Sequence, residues 1–136
     1  MKLLMIFSKN FEYQPTIKTI ENAEDREDGF TLNDVLVAFI HAEEEDEENE
    51  AKVITKLVKN LKWASKKNGV MNVVLHSFAH LSDSKASPDF TKKLFDQVEA
   101  KMKNASYQVH QTPFGYFLDL NINAPGYSMA RVFKSF

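Results

Sequence analysis

Histidine is the residue type in this chain best suited to acid–base or metal chemistry near neutral pH. Two of the four histidines, His76 and His80 in the segment HSFAHLS, stand four residues apart, a spacing that on a helix would place both toward one zinc ion. The segment follows a short apolar run, which predicts that His76 ends a strand and His80 lies in the next turn. With no third ligand nearby, we predict no metal site. His41 and His110, on or beside predicted strands, are expected to be structural or exposed.

Other common reaction motifs are absent from the sequence. The chain has no cysteine, which excludes a thiolate nucleophile, a thiolate metal site and a disulfide. It has neither a Gly-x-Ser-x-Gly elbow nor a glycine-rich phosphate loop. From motifs alone, we predict a globular α+β domain with no identifiable reaction and no cofactor.

The length of 136 residues fits a single domain spanning residues 1–136. The net charge of −2 neither predicts nor excludes a nucleic-acid partner, so the local distribution of charge must decide. No apolar run approaches the ~20 residues needed to cross a bilayer, and the apolar run at the N-terminus is too short for a signal peptide. Together with the lack of cysteine, these features suit the reducing cytosol.

Two amphipathic helices are predicted. The first covers Ala51 to Asn68, with Asn49 as a plausible cap and Gly69 as a stop. The second begins at Ser87-Pro88-Asp89, a cap followed by proline and an acidic residue. The lysines of the first helix avoid its apolar stripe, which predicts either a solvated face or a surface for RNA phosphates. They are Lys52, Lys56, Lys59, Lys62, Lys66 and Lys67.

Short apolar or alternating runs predict the strands. They cover residues 2–7, 11–13, 35–40, 71–75, 107–111, 116–122 and 128–136. The acidic run Glu43 to Glu50 is predicted to be a solvated, mobile turn, because like charges repel one another. Two helices against this many strands predict an α+β fold with a mixed, largely antiparallel sheet and both helices on one face.

Two segments, HSFAHLS and VHQTPFGYF, give this sequence a family resemblance when they are read together with Leu4-Met5-Ile6 and Leu36 to Ile40. The chain resembles the N-terminal editing domain of archaeal-type threonyl-tRNA synthetase over nearly its whole length. The resemblance implies a fold like that of D-aminoacyl-tRNA deacylases. It also implies hydrolysis of the ester in mischarged seryl-tRNA, because an activating site for threonine excludes the smaller serine poorly.

The resemblance also implies a site. Backbone around Val37, Ala38 and Phe39 would hold the terminal adenosine, and two turns would wall the aminoacyl pocket, with Ala79 and Gly115 allowing close approach of the backbone. The remaining wall residues would be Phe78, Leu81, Phe114 and Phe117, with His80 and Tyr116 as the catalytic side chains. From residue types alone, the favoured explanation is plain packing, with Phe78 and Phe114 as core aromatic residues and His80 as a capped turn residue.

Two positions depart from the family pattern. Leu118 stands where the family has a lysine that positions and helps to activate the attacking water, and Arg131 stands where it has a glutamate. Three functions therefore remain open: a seryl-tRNA editing domain, a degenerate tRNA-binding or dimerisation module, and a D-aminoacyl-tRNA deacylase. The implied partners are an aminoacylated tRNA 3′ end, a second copy of the chain and a synthetase catalytic core in cis or in trans.

Overall fold

Six strands and two long helices form the fold in a computed structural model that describes residues 1–136. The long elements are β1 (Lys2–Lys18), β2 (Phe30–His41), α1 (Glu50–Lys67), β3 (Asn72–Ser77), α2 (Pro88–Asn104), β4 (Gln108–Gln111), β5 (Tyr116–Ile122) and β6 (Arg131–Ser135). Two short 3-10 helices cover Glu44–Glu48 and Ser128–Ala130. No helix is both long and apolar enough to pass through a membrane.

All six strands belong to one mixed sheet with the order β4-β3-β2-β1-β5, and β6 also pairs with β1. The three pairings of β1 are antiparallel, whereas β2–β3 and β3–β4 are parallel. Both helices pack against the same face of the sheet, in one core with residues of β1, β2 and β3. The predicted α+β class, the largely antiparallel sheet and the placement of both helices on one face are confirmed.

The first two predicted strands are a single strand, β1, so the predicted break after Phe7 was wrong. The polar residues there do not end the strand, because Ser8 finds partners: its hydroxyl donates to Asn10 O at 2.6 Å and accepts from Asn123 N at 2.9 Å. Before this point β1 pairs with β6, and after it β1 pairs with β5. The polar residues mark a change of partner strand.

The two helices follow the sequence pattern closely. The apolar stripe of α1 is buried, and Ser87 caps α2 by accepting a hydrogen bond from Phe90 N at 3.2 Å. Each helix connects two parallel neighbours in the sheet. The carboxyl ends of β2 and β3 therefore meet the N-terminal ends of α1 and α2 at one edge of the sheet, which is where open sheets with helical crossovers commonly bind ligands.

The acidic run is folded rather than mobile, which corrects the prediction for Glu43 to Glu50. It forms a 3-10 helix over the N-terminus, whose buried ammonium group donates to Glu43 Oε1 and, at 3.2 Å, to Asp46. Partial burial alone would raise the pKa of Glu43, but hydrogen bonds from the terminal ammonium, Ser82 and Lys2 lower that pKa to about 2. The repulsion within the run is offset by a positive charge far away in sequence.

Candidate active site

A cavity of about 380 Å³ opens at the carboxyl ends of β2 and β3, next to the N-terminus of α2. Two turns contribute to its wall. One follows β3 and contains Phe78 to His80, and the other connects β4 to β5 and contains Pro113 to Gly115. The rest of the wall comes from the ends of β2 and β3, from β5, from residues just after β1, and from residues before and within α2. The volume suits a small aminoacyl group together with part of a nucleoside.

The turn after β3 rests on a stack of rings. Phe39 of β2 meets both His76 and Phe78 edge-on, with ring centroids 5.2 Å apart in each pair, and Phe78 meets His80 at 4.9 Å. Phe78 N also donates to Ile40 O at 3.0 Å, which fixes the start of the turn against β2. The stack leaves the His80 side chain exposed, and His80 makes no side-chain hydrogen bond within the domain.

Backbone donors are also available in this turn. The N–H groups of Ala79 and His80 donate to no acceptor in the domain, although both residues line the cavity. Free N–H groups of neighbouring residues are the usual donors to an oxyanion that develops during acyl transfer. The turn therefore combines an unbound imidazole with two unbound backbone donors.

His76 connects the two turns. Its Nδ1 shares a hydrogen bond of 2.9 Å with the hydroxyl of Thr112, at the start of the second turn, and both side chains are buried. Burial, aided by the nearby His80, lowers the pKa of His76 to about 4. His76 is therefore neutral at physiological pH and holds the cavity walls together rather than exchanging protons.

His41 stabilises the loop that follows the first turn. Leu81 N donates to His41 Nδ1 at 2.9 Å, so the proton of this buried imidazole lies on Nε2, which donates to Ser84 O at 2.7 Å. Between these contacts and α2 lies Lys85, the only lysine or arginine that lines the cavity. Lys85 is exposed and makes no ion pair.

The second turn depends on a glycine. Gly115 has φ +83°, and a Cβ atom there would lie 3.0 Å from Ala23 Cβ and 3.2 Å from Ile20 Cβ. Thr19 N donates to Gly115 O at 2.7 Å. We expected Gly115 to let the backbone approach a ligand, but the close neighbour is the segment after β1, which itself forms part of the cavity wall.

The structure brings most of the predicted site residues together. Eight of them line the cavity: Phe78, Ala79, His80, Phe114, Gly115, Tyr116, Phe117 and Leu118. Leu81 lies in an adjoining shallow groove that also contains Ala79 and His80. The two segments that suggested the family thus meet across one cavity.

Four predicted site residues lie elsewhere. Val37, Ala38 and Phe39 are buried in the middle of β2, which pairs with both β1 and β3, and they do not line the cavity. Arg131 begins β6, where its Nη2 donates to Pro125 O at 2.7 Å, and it does not line the cavity. A substitution at Arg131 therefore does not change the charge of the cavity wall directly.

Tyr116 lines the cavity, but its hydroxyl is already occupied. The hydroxyl donates to Glu24 O at 2.9 Å and accepts from Arg26 N at 2.9 Å. These bonds hold the loop between β1 and β2, and a catalytic role for Tyr116 stays a prediction. Of the two side chains predicted to be catalytic, only His80 makes no hydrogen bond within the domain.

Several residues that line the cavity were not predicted from the sequence. They are chiefly Ile40, His41 and Ala42 at the end of β2, Thr19 and Ile20 after β1, and Lys85, Pro88 and Thr91 before and within α2. The rule that ligands bind at the carboxyl ends of parallel strands would have selected the end of β2 over its middle. No group of three or more histidine, aspartate or glutamate side chains is placed to hold a metal ion.

Comparison with solved structures supports the fold. The chain superposes on the c-Myc DNA Unwinding Element Binding Protein with a TM-score of 0.71, covering 100% of this chain and 99% of that one, at 9% sequence identity. At this level of identity the likeness shows the shared fold alone.

Comparison of sequences identifies the family. A family model described as the archaea-specific editing domain of threonyl-tRNA synthetase matches residues 1–136. The threonine–tRNA ligases of Pyrococcus horikoshii and Methanosphaera stadtmanae are 32% and 31% identical to the chain, over 138 and 137 residues. These alignments cover 99% of the chain but only 22% of each ligase, so the chain spans about a fifth of the length of these relatives. The predicted resemblance is confirmed, and the chain belongs to the archaea-specific editing-domain family of threonyl-tRNA synthetase.

Proposed function

We propose that this chain, as a single unit over residues 1–136, hydrolyses the ester that joins serine to the 3′ end of a threonine tRNA. The observation that carries the proposal is the cavity between the two turns, which combines the unbound His80 imidazole with the unbound N–H groups of Ala79 and His80. A threonine-activating site gains only about 1–3 kcal/mol of discrimination from one methyl group, so a second site that removes serine is chemically useful.

The catalytic step is attack of water on the ester carbonyl. The carbonyl oxygen becomes an oxyanion, which the N–H groups of Ala79 and His80 stabilise. His80 orients the water and passes its proton toward the leaving ribose oxygen, so the products are free serine and the tRNA 3′ hydroxyl. Leu118 can neither donate a hydrogen bond nor polarise water. The neighbouring ribose hydroxyl of the tRNA can take part in this proton transfer instead.

The residues that bind the terminal nucleoside of the tRNA in this proposal were not predicted from the sequence. The end of β2, at Ile40 to Ala42, is a largely buried part of the cavity wall, against which a base can lie. Lys85 stands alone as a cation in the wall and supplies a point charge for a phosphate of the RNA strand that enters the cavity. The adenosine, which was predicted to contact Val37–Phe39, would then lie at the end of the same strand.

A homodimer that works in the cytoplasm, beside or within a synthetase, completes the proposal. Apolar side chains on the sheet face opposite the helices, among them Leu4, Ile6 and Ile122, are only partly buried in the single chain. A second copy laid on this face would cover them. Sedimentation at several concentrations tests this, and a monomer throughout would contradict it.

A second candidate function, a tRNA-binding module without catalysis, is favoured by one specific observation. Leu118 lines the cavity, so an apolar side chain stands in the wall where the family has its lysine. The two functions differ in chemistry but share the cavity.

One assay separates them. Incubating the domain with seryl-tRNA and, in parallel, with threonyl-tRNA measures ester loss against the spontaneous rate. Loss of serine but not threonine is expected, and the His80→Ala variant should lower the rate by about 10²-fold or more. Tight binding of either tRNA with hydrolysis no faster than in buffer would instead support the module.

A further inference from the structure

The outer face of α1 carries six lysines and no acidic residue, in a chain whose net charge is −2. With about 100° of rotation per residue, these lysines fall within an arc of roughly 140°, opposite the buried stripe. Five of the side chains are exposed and Lys62 is half-buried. The members of this lysine face are Lys52, Lys56, Lys59, Lys62, Lys66 and Lys67.

The lysine face differs from an ordinary solvated helix surface because none of its members makes an ion pair. The same molecule supplies the contrast. On α2, Lys92 pairs with Asp96 at 3.0 Å, Lys103 with Glu99 at 2.8 Å, and Lys93 with Glu50 at 3.5 Å. Stabilising pairs of this kind are missing from the outer face of α1, although the helix spacing would allow them.

Instead, like charges adjoin along the lysine face. Lys52–Lys56, Lys56–Lys59, Lys59–Lys62 and Lys62–Lys66 stand three or four residues apart, and each such pair costs a helix about 0.2–0.5 kcal/mol. A line of uncompensated cations is the arrangement that a polyanion relieves, because each phosphate contact also releases condensed counterions. The charge pattern thus points to a ligand outside the chain.

Neighbouring elements widen the lysine face. Lys101 of α2 shares a shallow groove with Lys59 and Lys62. On the other side, Lys134 of β6 lies 5.0 Å from the ring centre of the partly exposed Trp63. The positive surface is therefore broader than one row of side chains, as contact with a duplex requires.

The position of α1 relates the lysine face to the cavity. Glu47, just before α1, accepts a hydrogen bond from Ser87 N at 3.0 Å, so α1 begins close to the start of α2, where Pro88 and Thr91 line the cavity. From there the 18 residues of α1 extend for about 27 Å. The lysine face therefore runs away from the cavity end of α1, starting beyond the exposed acidic residues Glu44, Glu45, Glu47 and Glu48.

We propose that the lysine face binds the phosphate backbone of a double-stranded RNA arm. The identity of the RNA, a tRNA whose 3′ end enters the cavity, rests on the proposed function, whereas the charge pattern that calls for a polyanion does not. Contacts of this kind are independent of base sequence and sensitive to salt. They hold the arm in position while the cavity selects the group at its end.

A pair of matched triple variants tests the proposal. One replaces Lys56, Lys59 and Lys62 with glutamine, and the control replaces the ion-paired Lys92, Lys93 and Lys103 with glutamine, so both lose the same charge. Binding is measured by fluorescence anisotropy at several salt concentrations. The two probes are a short single strand matching the tRNA 3′ end and the same strand extended into a hairpin long enough to follow α1.

We expect the α1 triple to bind the hairpin at least 10-fold more weakly than wild type. Its slope of log affinity against log salt should fall by about 0.7–0.9 for each phosphate that a lysine no longer neutralises, or roughly 2–3 in all. Its affinity for the short strand and both affinities of the control should stay within about twofold of wild type. Arginine at the same three α1 positions should retain hairpin binding, and circular dichroism checks that every variant folds.

Several results would overturn the proposal. An equal loss of affinity in both triples would mean that only net charge matters, and no loss in either would mean that RNA does not use this face. If the α1 triple variant lost equal affinity for the short strand and for the hairpin, the duplex would have no role in binding. Competition by an acidic polypeptide as effective as the hairpin would point to a protein partner. If wild type binds the hairpin through α1 yet hydrolyses no ester, the proposed function fails and this proposal stands.

Discussion

At the scale of single residues, the proposed reaction turns on the side chain at position 118, which is a leucine. It is half-buried in the wall and packs with the apolar residues on the open face of the sheet. In the proposed reaction an oxyanion forms in this cavity, so an ammonium group at position 118 would bring a stabilising positive charge, and a leucine brings none. The groups left for the proposed reaction are the exposed imidazole of His80 and the backbone N–H groups of its turn.

Replacing Leu118 with lysine should therefore raise the rate of seryl-ester hydrolysis. We expect an increase of about 10-fold or more in kcat/KM, since one well-placed donor to an oxyanion is worth about 2.7–4 kcal/mol in other hydrolases. Leu118→Met is the matched control, since it keeps a similar volume without a charge. A rate equal to wild type for Leu118→Lys, in a variant that folds normally, would show that this position does not limit the reaction.

At the scale of elements, the turn between β4 and β5 shows how a cavity wall is maintained. Gly115 adopts a left-handed conformation and packs against Ile20 and Ala23, while Tyr116 holds Glu24 and Arg26 through its hydroxyl. The loop after β1 is therefore attached to the turn at two neighbouring points. Part of the cavity wall depends on this attachment.

The substitution Gly115→Ala should weaken both the fold and the site. A side chain at this φ costs about 1–2 kcal/mol, and the new Cβ would press on Ala23 at 3.0 Å. We expect a loss of about 2 kcal/mol in the free energy of unfolding by urea, and a faster cleavage of the 19–29 loop by protease.

Gly126→Ala is the matched control, because a Cβ there meets nothing within 4 Å. It should leave both measurements unchanged. If Gly115→Ala were as stable as wild type, the packing of this turn against the loop would not contribute to the wall as described.

Elements with a clear local signal could be predicted from sequence, and those that depend on distant partners could not. The stripe of α1 and the Ser87 cap of α2 are local features, and both were correct. The break predicted after Phe7 was wrong because Ser8 is satisfied by Asn123, which is 115 residues away. The same limit applies to the candidate site. The two turns could be recognised from local sequence, whereas the end of β2 lies beside them only because the strands pair in the sheet.

At the scale of the whole molecule, two buried polar arrangements connect distant parts of the chain. The terminal ammonium group joins Glu43 and Asp46 to the last residue, since it also donates to Phe136 O at 2.7 Å. His76 joins the two cavity turns through Thr112. Neither arrangement can be inferred from local sequence, and both make the stability of the fold depend on pH.

The contribution of each arrangement to the free energy of unfolding should be lost over its own range of pH. The pKa of His76 is lowered from 6.5 to about 4, so between these values the unfolded chain binds a proton that the folded chain does not. Stability is therefore lost as pH falls from 6.5 to 4, by at most about 3 kcal/mol. The pKa of Glu43 is lowered from 4.5 to about 2, so its contribution is present above pH 4.5 and is lost as pH falls toward 2.

Urea unfolding between pH 7 and pH 3 measures these contributions when wild type is compared with His76→Asn and Glu43→Gln. Asparagine keeps a polar partner for Thr112 but does not titrate, so His76→Asn should flatten the loss between pH 6.5 and 4 and leave the lower range unchanged. Glu43→Gln should lower stability at pH 7, because a buried ammonium loses one of its two carboxylate partners, and should flatten only the loss below pH 4.5. The slope is the decisive quantity, since either substitution can also change packing: parallel curves for wild type and His76→Asn would show that His76 does not couple the cavity turns to pH.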